Sequence, residues 1–252
     1  MYMNEQELCQ KRLIDLSKQA DRRGIVLFSD FLNLNELNIY HQSKKLFVTE
    51  TECFGGVSFA ERQMVAFLPD ALSYAWNYPI TALRMTPSYP KFAEKFGHRD
   101  ILGAIMNLGV ERNRIGDIML GKDAAYLICE TGISGYFMEN LTKVRHTLIH
   151  LEECALDEIN DVQVPELATG IITSNRIDAV IACVYKLSRS QALELFRREK
   201  VFVNGKLTTS PTYICRRDDV ISVRGCGRFV YQSEQGTTNK GRLKFTYQIY
   251  RN

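Results

Sequence analysis

The spacing of apolar and polar positions changes twice along the chain and divides it into three segments. In the first segment, leucines recur near helical spacing among charged residues, which predicts a helix. These leucines are Leu8, Leu13 and Leu16. Apolar runs predict strands at 46–49 and 65–68, and the Phe54-Gly55-Gly56 stretch between them predicts a turn. We therefore predict a small N-terminal α/β domain over residues 1–78.

The second segment, residues 79–160, changes between the period of a strand and that of a helix. Strands are predicted at 80–85, 115–120, 124–129 and 145–151, and helices at 100–108 and 134–141. The order β-α-β-β-α-β is the split-βαβ pattern of ferredoxin-like folds. RNA-binding modules, enzymes and metal carriers all use this fold, so it does not give the function. Among the stacking aromatics that an RNA-recognition motif needs, Tyr126 is the sole candidate.

The third segment, residues 174–252, follows a predicted linker at 164–166. An apolar stripe from Ile177 to Val184 predicts one helix, and Ser188 with Gln191 predicts a capping box at the start of a second. Beyond the helices we predict a hairpin at 201–207, a strand at 219–224, a glycine-flanked loop at 225–228, a flexible polar stretch at 232–240 and a strand at 243–249. The hairpin prediction rests on Asn204-Gly205, which accepts the positive φ angles of a tight turn. The chain is therefore predicted to be of the α+β class.

Charge divides the chain unevenly. From Ser174 onward there are 15 Lys and Arg against six Asp and Glu, a net charge of +9, whereas residues 1–173 carry −6. A basic module beside an acidic body favours a polyanionic partner for the module. An anionic membrane would favour a single basic amphipathic helix, but here the cations are spread over helices, a hairpin and a loop. We therefore expect a nucleic acid as the partner.

Other compositional features narrow the class of protein. The seven cysteines are scattered, odd in number and form no Cys-x-x-Cys pair, which argues against a disulfide framework or a zinc site. No apolar run is long enough to span a membrane, and the first residues are acidic, unlike a secretory signal. We expect a cytoplasmic protein with no membrane span, no cofactor and no metal.

Four motifs of the third segment resemble the S4 RNA-binding domain in order and spacing. They are Arg176-Ile177-Asp178, Ser188-Arg189-Ser190-x-Ala192, the run from Lys200 to Lys206, and the strand from Asp219 to Arg224. Asp218 departs from the family pattern, which usually has glycine there. The resemblance implies an S4-type αL domain that binds structured RNA by its phosphates and shape, with little base reading.

The resemblance and the local physics together give a set of RNA-binding candidates. Arg189 lies in the first turn of a predicted helix, where the helix dipole favours a phosphate, and further cations follow about two turns later. The candidates are Arg176, Lys186, Ser188, Arg189, Ser190, Arg197, Arg198, Lys200, Asn204, Gly205, Lys206, Arg224, Gly225, Gly227 and Arg228.

Nearly the whole chain resembles the YlmH family, in which an S4 domain follows a ferredoxin-like middle domain. The supporting stretches are Phe54-Gly55-Gly56, Ala60-Glu61-Arg62, Ile115-Gly116-Asp117-Ile118 and the Arg-Gly-x-Gly-Arg run from Arg224 to Arg228. The resemblance implies a gene among cell-division genes. It also implies binding to rRNA and tRNA on the large ribosomal subunit, with peptidyl-tRNA, during rescue of stalled ribosomes. We expect a monomer, with a division protein as a second candidate partner.

Two other classes of function remain open from the sequence. Asn175-Arg176-Ile177-Asp178 superficially resembles the catalytic stretch of pseudouridine synthases, but an apolar helix face follows Asp178. Motifs typical of tyrosyl-tRNA synthetases and methyltransferases are absent, so we expect no catalytic residue. His146 and His150 stand four apart, but alternation in 145–151 places them on one strand face and not in a metal site. A protein-interaction module is the other alternative.

Overall fold

The computed structural model describes residues 4–70, 72–159, 162, 166–239 and 241–250. The chain divides into two compact units, Met1–Gln163 and Val164–Asn252. The first unit holds the segments predicted at 1–78 and 79–160, and the second unit holds the segment predicted at 174–252. Of the predicted linker, Val164 and Pro165 lie outside the described residues.

The first unit begins with two helices and a three-stranded sheet. Its elements are α1 (Glu5–Arg23), β1 (Leu27–Phe28), α2 (Leu34–Ser43), β2 (Glu50–Phe54) and β3 (Met64–Leu68), and the strands pair antiparallel in the order β1-β3-β2. Asn4 and Glu7 form a capping box at the start of α1, and Gly24 ends it in a left-handed conformation. Leu13, Tyr40 and Phe67 lie in the core between the helices and the sheet.

The strand predicted at 46–49 is wrong. Residues 44–46 form a 3-10 helix, and β2 begins only at Glu50. Within the apolar run, Leu46 and Val48 are exposed, whereas the ring of Phe47 packs on those of Tyr40 and Phe67. A single partly buried aromatic anchors this stretch, so its apolar composition does not reflect a strand face.

The rest of the first unit has the strand order that the split-βαβ pattern predicts. The elements are β4 (Ile80–Pro87), α3 (His98–Met106), β5 (Ile115–Leu120), β6 (Ala125–Glu130), α4 (Ser134–Asn140), β7 (Lys143–Val144) and β8 (Thr147–Cys154). Their sheet is antiparallel in the order β5-β6-β4-β8-β7. The strand predicted at 145–151 is partly wrong, because Arg145 has a φ of 55° and turns the chain between β7 and β8. His146 therefore lies in that turn and shares no strand face with His150.

Both faces of this sheet are covered at their centre. On one face, α3 and α4 contribute Ile101, Ile105 and Phe137 to a core with the strand residues. The opposite face carries Ala82, Tyr126 and Ile128, and these pack with Phe31 and Met64 of the N-terminal segment and with residues after β8. Tyr126 is only 4% exposed, so the one aromatic that the sequence offered for base stacking is buried.

The described residues of the second unit form one six-stranded antiparallel sheet with two short helices. Its elements are β9 (Glu166–Ile172), α5 (Ile177–Val184), α6 (Arg189–Arg197), β10 (Val201–Val203), β11 (Lys206–Leu207), β12 (Asp219–Val223), β13 (Gly227–Thr237) and β14 (Leu243–Tyr250). The strand order is β11-β10-β12-β13-β14-β9. The apolar stripe of α5 packs with Phe196 of α6 and with Phe229 and Phe245 of the sheet.

Two boundary predictions in this unit are wrong. The loop predicted at 225–228 is a turn of Arg224, Gly225 and Cys226, and Gly227 and Arg228 already belong to β13. The polar stretch from Gln232 onward is not a flexible segment as far as Thr237, because it continues β13 and pairs with β14. Lys240 lies outside the described residues.

Within the described part of the chain, no helix is long and apolar enough to cross a membrane.

Candidate nucleic-acid interface

A buried carboxylate organises the start of α5. Asp178 is 2% exposed and accepts two hydrogen bonds from the Arg176 guanidinium, Nε to Oδ1 at 3.1 Å and Nη2 to Oδ2 at 3.0 Å. The backbone N–H of Ala179 donates a third bond to it at 3.0 Å. Arg176 is therefore held in an ion pair within the protein. Asp178 lies in the first turn of α5, where a negative charge interacts favourably with the helix dipole.

The start of α6 presents an exposed arginine. Ser188 caps the helix by accepting from the backbone N–H of Gln191, whose side chain returns to the Ser188 N–H, as the sequence predicts. Arg189 follows with 77% of its side chain exposed, and its Nε lies 4.0 Å from Asp178 Oδ2. With Arg176 already bound to Asp178, Arg189 leaves positive charge at a helix N-terminus, where backbone N–H groups also favour an anion.

A groove of roughly 400 Å³ runs beside this helix start. Thr173, Ser174, Arg176, Asp178 and Arg189 supply its polar lining. Lys186, in the connection between the helices, is exposed and has a φ of 53°. We name Lys186, Ser188, Arg189 and Ser190 the N-terminal group of α6.

The end of α6 carries a second set of cations. Arg197 and Arg198 both reach Glu194, at 3.5 and 2.9 Å, on the exposed side of the helix. Exposed ion pairs of this kind contribute little to stability, so the arginines can exchange Glu194 for another anion. Because two arginines share one glutamate, a net positive charge remains. The Arg224 backbone N–H donates to Lys200 O at 2.9 Å, and its guanidinium lies over the Phe202 ring at 4.5 Å. We name Arg197, Arg198, Lys200 and Arg224 the C-terminal group of α6.

The tight hairpin between β10 and β11 is confirmed, with φ of 50° at Asn204 and 76° at Gly205. The Asn204 side chain donates to Asp219 Oδ1 and accepts from the Val220 N–H, both at 2.9 Å. Its polar atoms are therefore bound within the protein and fix the hairpin. Lys206, directly after the turn, is exposed.

The Arg-Gly-x-Gly-Arg run places its two arginines differently. Arg224 is exposed, whereas Arg228 lies with its guanidinium 3.9 Å from the Tyr250 ring centre, and burial lowers the pKa of Arg228. Gly225 in the turn and Gly227 at the start of β13 have φ of 89° and 114°, which glycine adopts without strain. Arg228 thus packs against the last strand, and Arg224 is the arginine of this run that faces solvent.

Each of the two groups has a member on α6 itself. Arg189 and Arg197 are eight residues apart, a rise of about 12 Å along the helix axis. That separation suits contacts to different phosphates of one nucleic-acid backbone. Arg176, Asn204 and Arg228 are held by internal partners, so the structure separates them from the exposed members of the predicted set.

Residues that the sequence did not single out lie near this surface. Arg216 and Arg217 are exposed in the turn before β12, where Asp218 has a φ of 65°. That left-handed conformation explains why glycine is usual in the family at this position. The two arginines entered the charge count, but no motif marked them.

In the first unit, two stretches that carry the family resemblance meet in space. Asp117 accepts from the backbone N–H groups of Glu61, at 2.6 Å, and Arg62, at 3.3 Å. The Arg62 guanidinium donates to the carbonyls of Phe31, Arg112 and Ile115. Gly55 is needed beside them because a Cβ there would overlap the Arg62 carbonyl. These contacts tie the N-terminal segment to the sheet that contains β5.

Comparisons with known proteins bear on both units. The family model described as "Putative RNA-binding domain in YlmH" matches residues 77–158. The ribosome-associated protein quality control protein P2 of Bacillus subtilis (strain 168) is 29% identical over 199 residues, which cover 77% of this chain and 76% of that protein. The resemblance to the YlmH family is confirmed. The cell division protein ylmH from Streptococcus pneumoniae matches the structure with a TM-score of 0.52 and 21% identity, over 64% of this chain and 98% of that one. This last likeness to a YlmH protein supports the mixed α/β fold alone.

Proposed function

We propose that this protein binds structured RNA, rRNA or tRNA, through an S4-type surface in its second unit. In this proposal it acts in the cytoplasm on the large ribosomal subunit, with peptidyl-tRNA, in the rescue of stalled ribosomes. The observation that carries the proposal is the pair of largely exposed cationic groups at the two ends of α6. The ribosome-associated quality-control relative and the RNA-binding family model support the same direction.

The arrangement favours phosphate recognition over base reading. Arg189 stands at a capped helix N-terminus, and the C-terminal group of α6 lies about two turns away. Neither group contains an aromatic residue. The neighbouring Phe202 ring does not offer a free face on the side where the Arg224 guanidinium covers it. Contacts of this type recognise the shape of a folded RNA backbone. They weaken at higher salt, because the counterions that binding releases then gain less entropy.

The contacts of Asp178 favour binding over catalysis. A catalytic aspartate needs access to its substrate, whereas both Asp178 oxygens bond to Arg176 and one also accepts the Ala179 N–H. The side chain is buried, and it stabilises the first turn of α5. We therefore propose an RNA-binding protein that carries out no reaction on the RNA.

Binding of a purified tRNA by fluorescence anisotropy tests the proposal. The double substitution Arg189→Ala/Arg198→Ala should weaken binding about tenfold or more and lower the slope of log Kd against log salt by about two, because two phosphate contacts are lost. Arg242→Ala/Lys244→Ala removes the same charge from exposed positions near and on β14 and should leave the slope nearly unchanged. Equal effects from both variants would mean that only net charge matters, and the S4-type site would be wrong.

A further inference from the structure

The first unit cannot use the usual face of a ferredoxin-like RNA-binding sheet. That face is the one opposite α3 and α4, and its central residues Ala82, Tyr126 and Ile128 are buried under Phe31 and Met64. At the margin of the same face, Arg84 and Glu152 pair with each other at 3.0 Å. A nucleic acid that binds this unit must therefore contact another surface.

Two aromatic side chains are exposed at one end of the sheet. Tyr89 is 64% exposed and Phe92 is 86% exposed, in the loop that follows β4. The Phe92 N–H donates to Tyr89 O at 3.1 Å and closes a 3-10 turn between them. Phe92 buries little of its ring within the protein, and two exposed rings three residues apart in one loop favour a contact with a partner.

The loop is held in place at both ends. The Ser88 N–H donates to Leu148 O at 2.9 Å, and the Glu94 N–H donates to the Thr147 hydroxyl at 3.0 Å. Both partners belong to the start of β8. The exposed rings are thus fixed beside the turn that joins β7 to β8.

Exposed cations lie in this loop and in the elements that follow or hold it. Lys91 and Lys95 are exposed in the loop itself, and Arg99, Lys143 and Arg145 are exposed on α3, on β7 and in the turn. The acids nearby in the chain are Glu94 and Asp100, and Asp100 accepts from the Gly97 N–H and lies 3.9 Å from Arg145. This local excess of positive charge contrasts with the net charge of −6 over residues 1–173.

A groove of roughly 490 Å³ lies between α3 and the chain that leads into β7. Its charged and amide lining consists of Arg99, Asp100, Asn107, Asn140, Lys143 and Arg145. Guanidinium and ammonium groups bind phosphates, whereas amides can donate to and accept from base edges and ribose hydroxyls. The groove therefore combines the chemistry of a nucleotide site with neighbouring rings for stacking.

We propose that this edge of the first unit, formed by Tyr89, Phe92, Lys91, Lys95, Lys143 and Arg145, binds a single-stranded segment of RNA. Bases stack on the two rings, and the lysines and arginines contact the backbone. We name these six residues the aromatic edge. The inference does not rest on RNA binding by the second unit, since the two surfaces are in different units. It differs from the S4-type proposal in the ligand as well: unpaired nucleotides here, folded RNA there.

The chemistry favours RNA over a membrane. Membrane binding through such a loop requires more apolar area than two rings, and it does not use a polar groove. Stacking also makes a distinction that can be measured, because leucine keeps the apolar character of Phe92 but has no aromatic face.

The test uses the full chain with Arg189→Ala/Arg198→Ala/Lys200→Ala as background, so that the second unit contributes little. Binding of an unstructured, fluorescein-labelled 12-nucleotide RNA is measured by anisotropy. Phe92→Leu should weaken binding five- to tenfold, and Tyr89→Ala/Phe92→Leu by more, whereas Phe92→Trp should stay within about twofold. Tyr74→Leu, at an exposed tyrosine outside the aromatic edge and its groove, is the matched control and should have no effect. These surface substitutions leave the core intact, and unchanged circular dichroism verifies the fold.

Photocrosslinking identifies the contact independently of affinity. The same RNA carrying 5-iodouridine should crosslink to the peptide that contains Tyr89 and Phe92. Crosslinks confined to other peptides, or equal binding by Phe92→Leu and the background protein, would overturn the inference. So would preferential binding of anionic lipid vesicles that Phe92→Leu leaves unchanged, since that would indicate a membrane surface. Loss of tRNA binding in the triple background with retained 12-nucleotide binding would separate this site from the S4-type site.

Discussion

Asp117 shows how burial changes the charge of one residue at a junction. Burial raises its pKa from the ordinary value of 3.8 to about 6, although two backbone N–H groups and the nearby Arg62 and Arg112 favour the ionised form. The carboxylate lies where the N-terminal segment meets the sheet containing β5. Its protonation state therefore affects how firmly those two parts of the first unit are joined.

Because the pKa is raised in the folded state, the folded protein binds the proton more tightly than the unfolded chain between about pH 4 and pH 6. The stabilisation present below this range is lost as the pH rises through it. We expect the unfolding free energy of the wild type, minus that of Asp117→Asn, to fall by about 2 kcal/mol between pH 4.5 and 7.5. Urea unfolding at both pH values measures it. A difference that rises with pH would show that Arg62 and Arg112 hold the carboxylate ionised.

At the residue scale, the sequence identified the chemistry of side chains but not their partners. Arg176, Asn204 and Arg228 fit an RNA-binding motif by type and spacing. In the structure, Arg176 is bound to Asp178, Asn204 to Asp219, and Arg228 lies on the Tyr250 ring. Asp219 and Tyr250 are distant in the chain from the residues they contact, and Asp178 is itself part of the RNA-binding motif. Spacing alone therefore could not separate internal contacts from exposed charge.

At the element scale, the hairpin of β10 and β11 depends on one side chain. Asn204 supplies a left-handed backbone conformation and two hydrogen bonds to the start of β12. We predict that Asn204→Ala lowers the unfolding free energy by about 2–3 kcal/mol, through strain and two lost hydrogen bonds. Asn204→Gly, which removes the strain but also the hydrogen bonds, should lose less. Urea denaturation compares the two variants.

RNA binding by the same variants tests whether Asn204 is structural. Below its unfolding temperature, Asn204→Ala should bind tRNA within about twofold of the wild type, because its polar atoms already bond to Asp219 and Val220. A tenfold loss of affinity in a folded Asn204→Ala protein, with Asn204→Gly equally affected, would instead make Asn204 an RNA contact.

Elements with local signals could be predicted, and elements defined by distant partners could not. Capping residues gave the start of α6, and Asn204-Gly205 gave the hairpin. The strand β9 was missed because Gly170 interrupts its pattern, and the reason for that glycine is the Phe245 ring of β14, against which a Cβ would clash. Similarly, β13 extends through polar residues because β14 pairs with them.

At the scale of the whole molecule, charge is the property that links sequence and proposed function. The excess of +9 from Ser174 onward was visible without a structure, and the structure places several of its exposed members at the two ends of α6. The burial of Tyr126 was not visible, since it follows from packing of the N-terminal segment on the sheet. The exposure of Tyr89 and Phe92 was not visible either, since it depends on how their loop is held at the start of β8.

Sedimentation of a cell lysate through a sucrose gradient, followed by blotting, tests ribosome binding most directly. The wild type should migrate with large ribosomal subunits, and Arg189→Ala/Arg198→Ala/Lys200→Ala should remain at the top. The control Lys18→Ala/Arg22→Ala/Arg23→Ala removes three exposed cations from α1 and should migrate like the wild type. A wild-type protein that stays at the top even at low salt would contradict ribosome binding through the second unit.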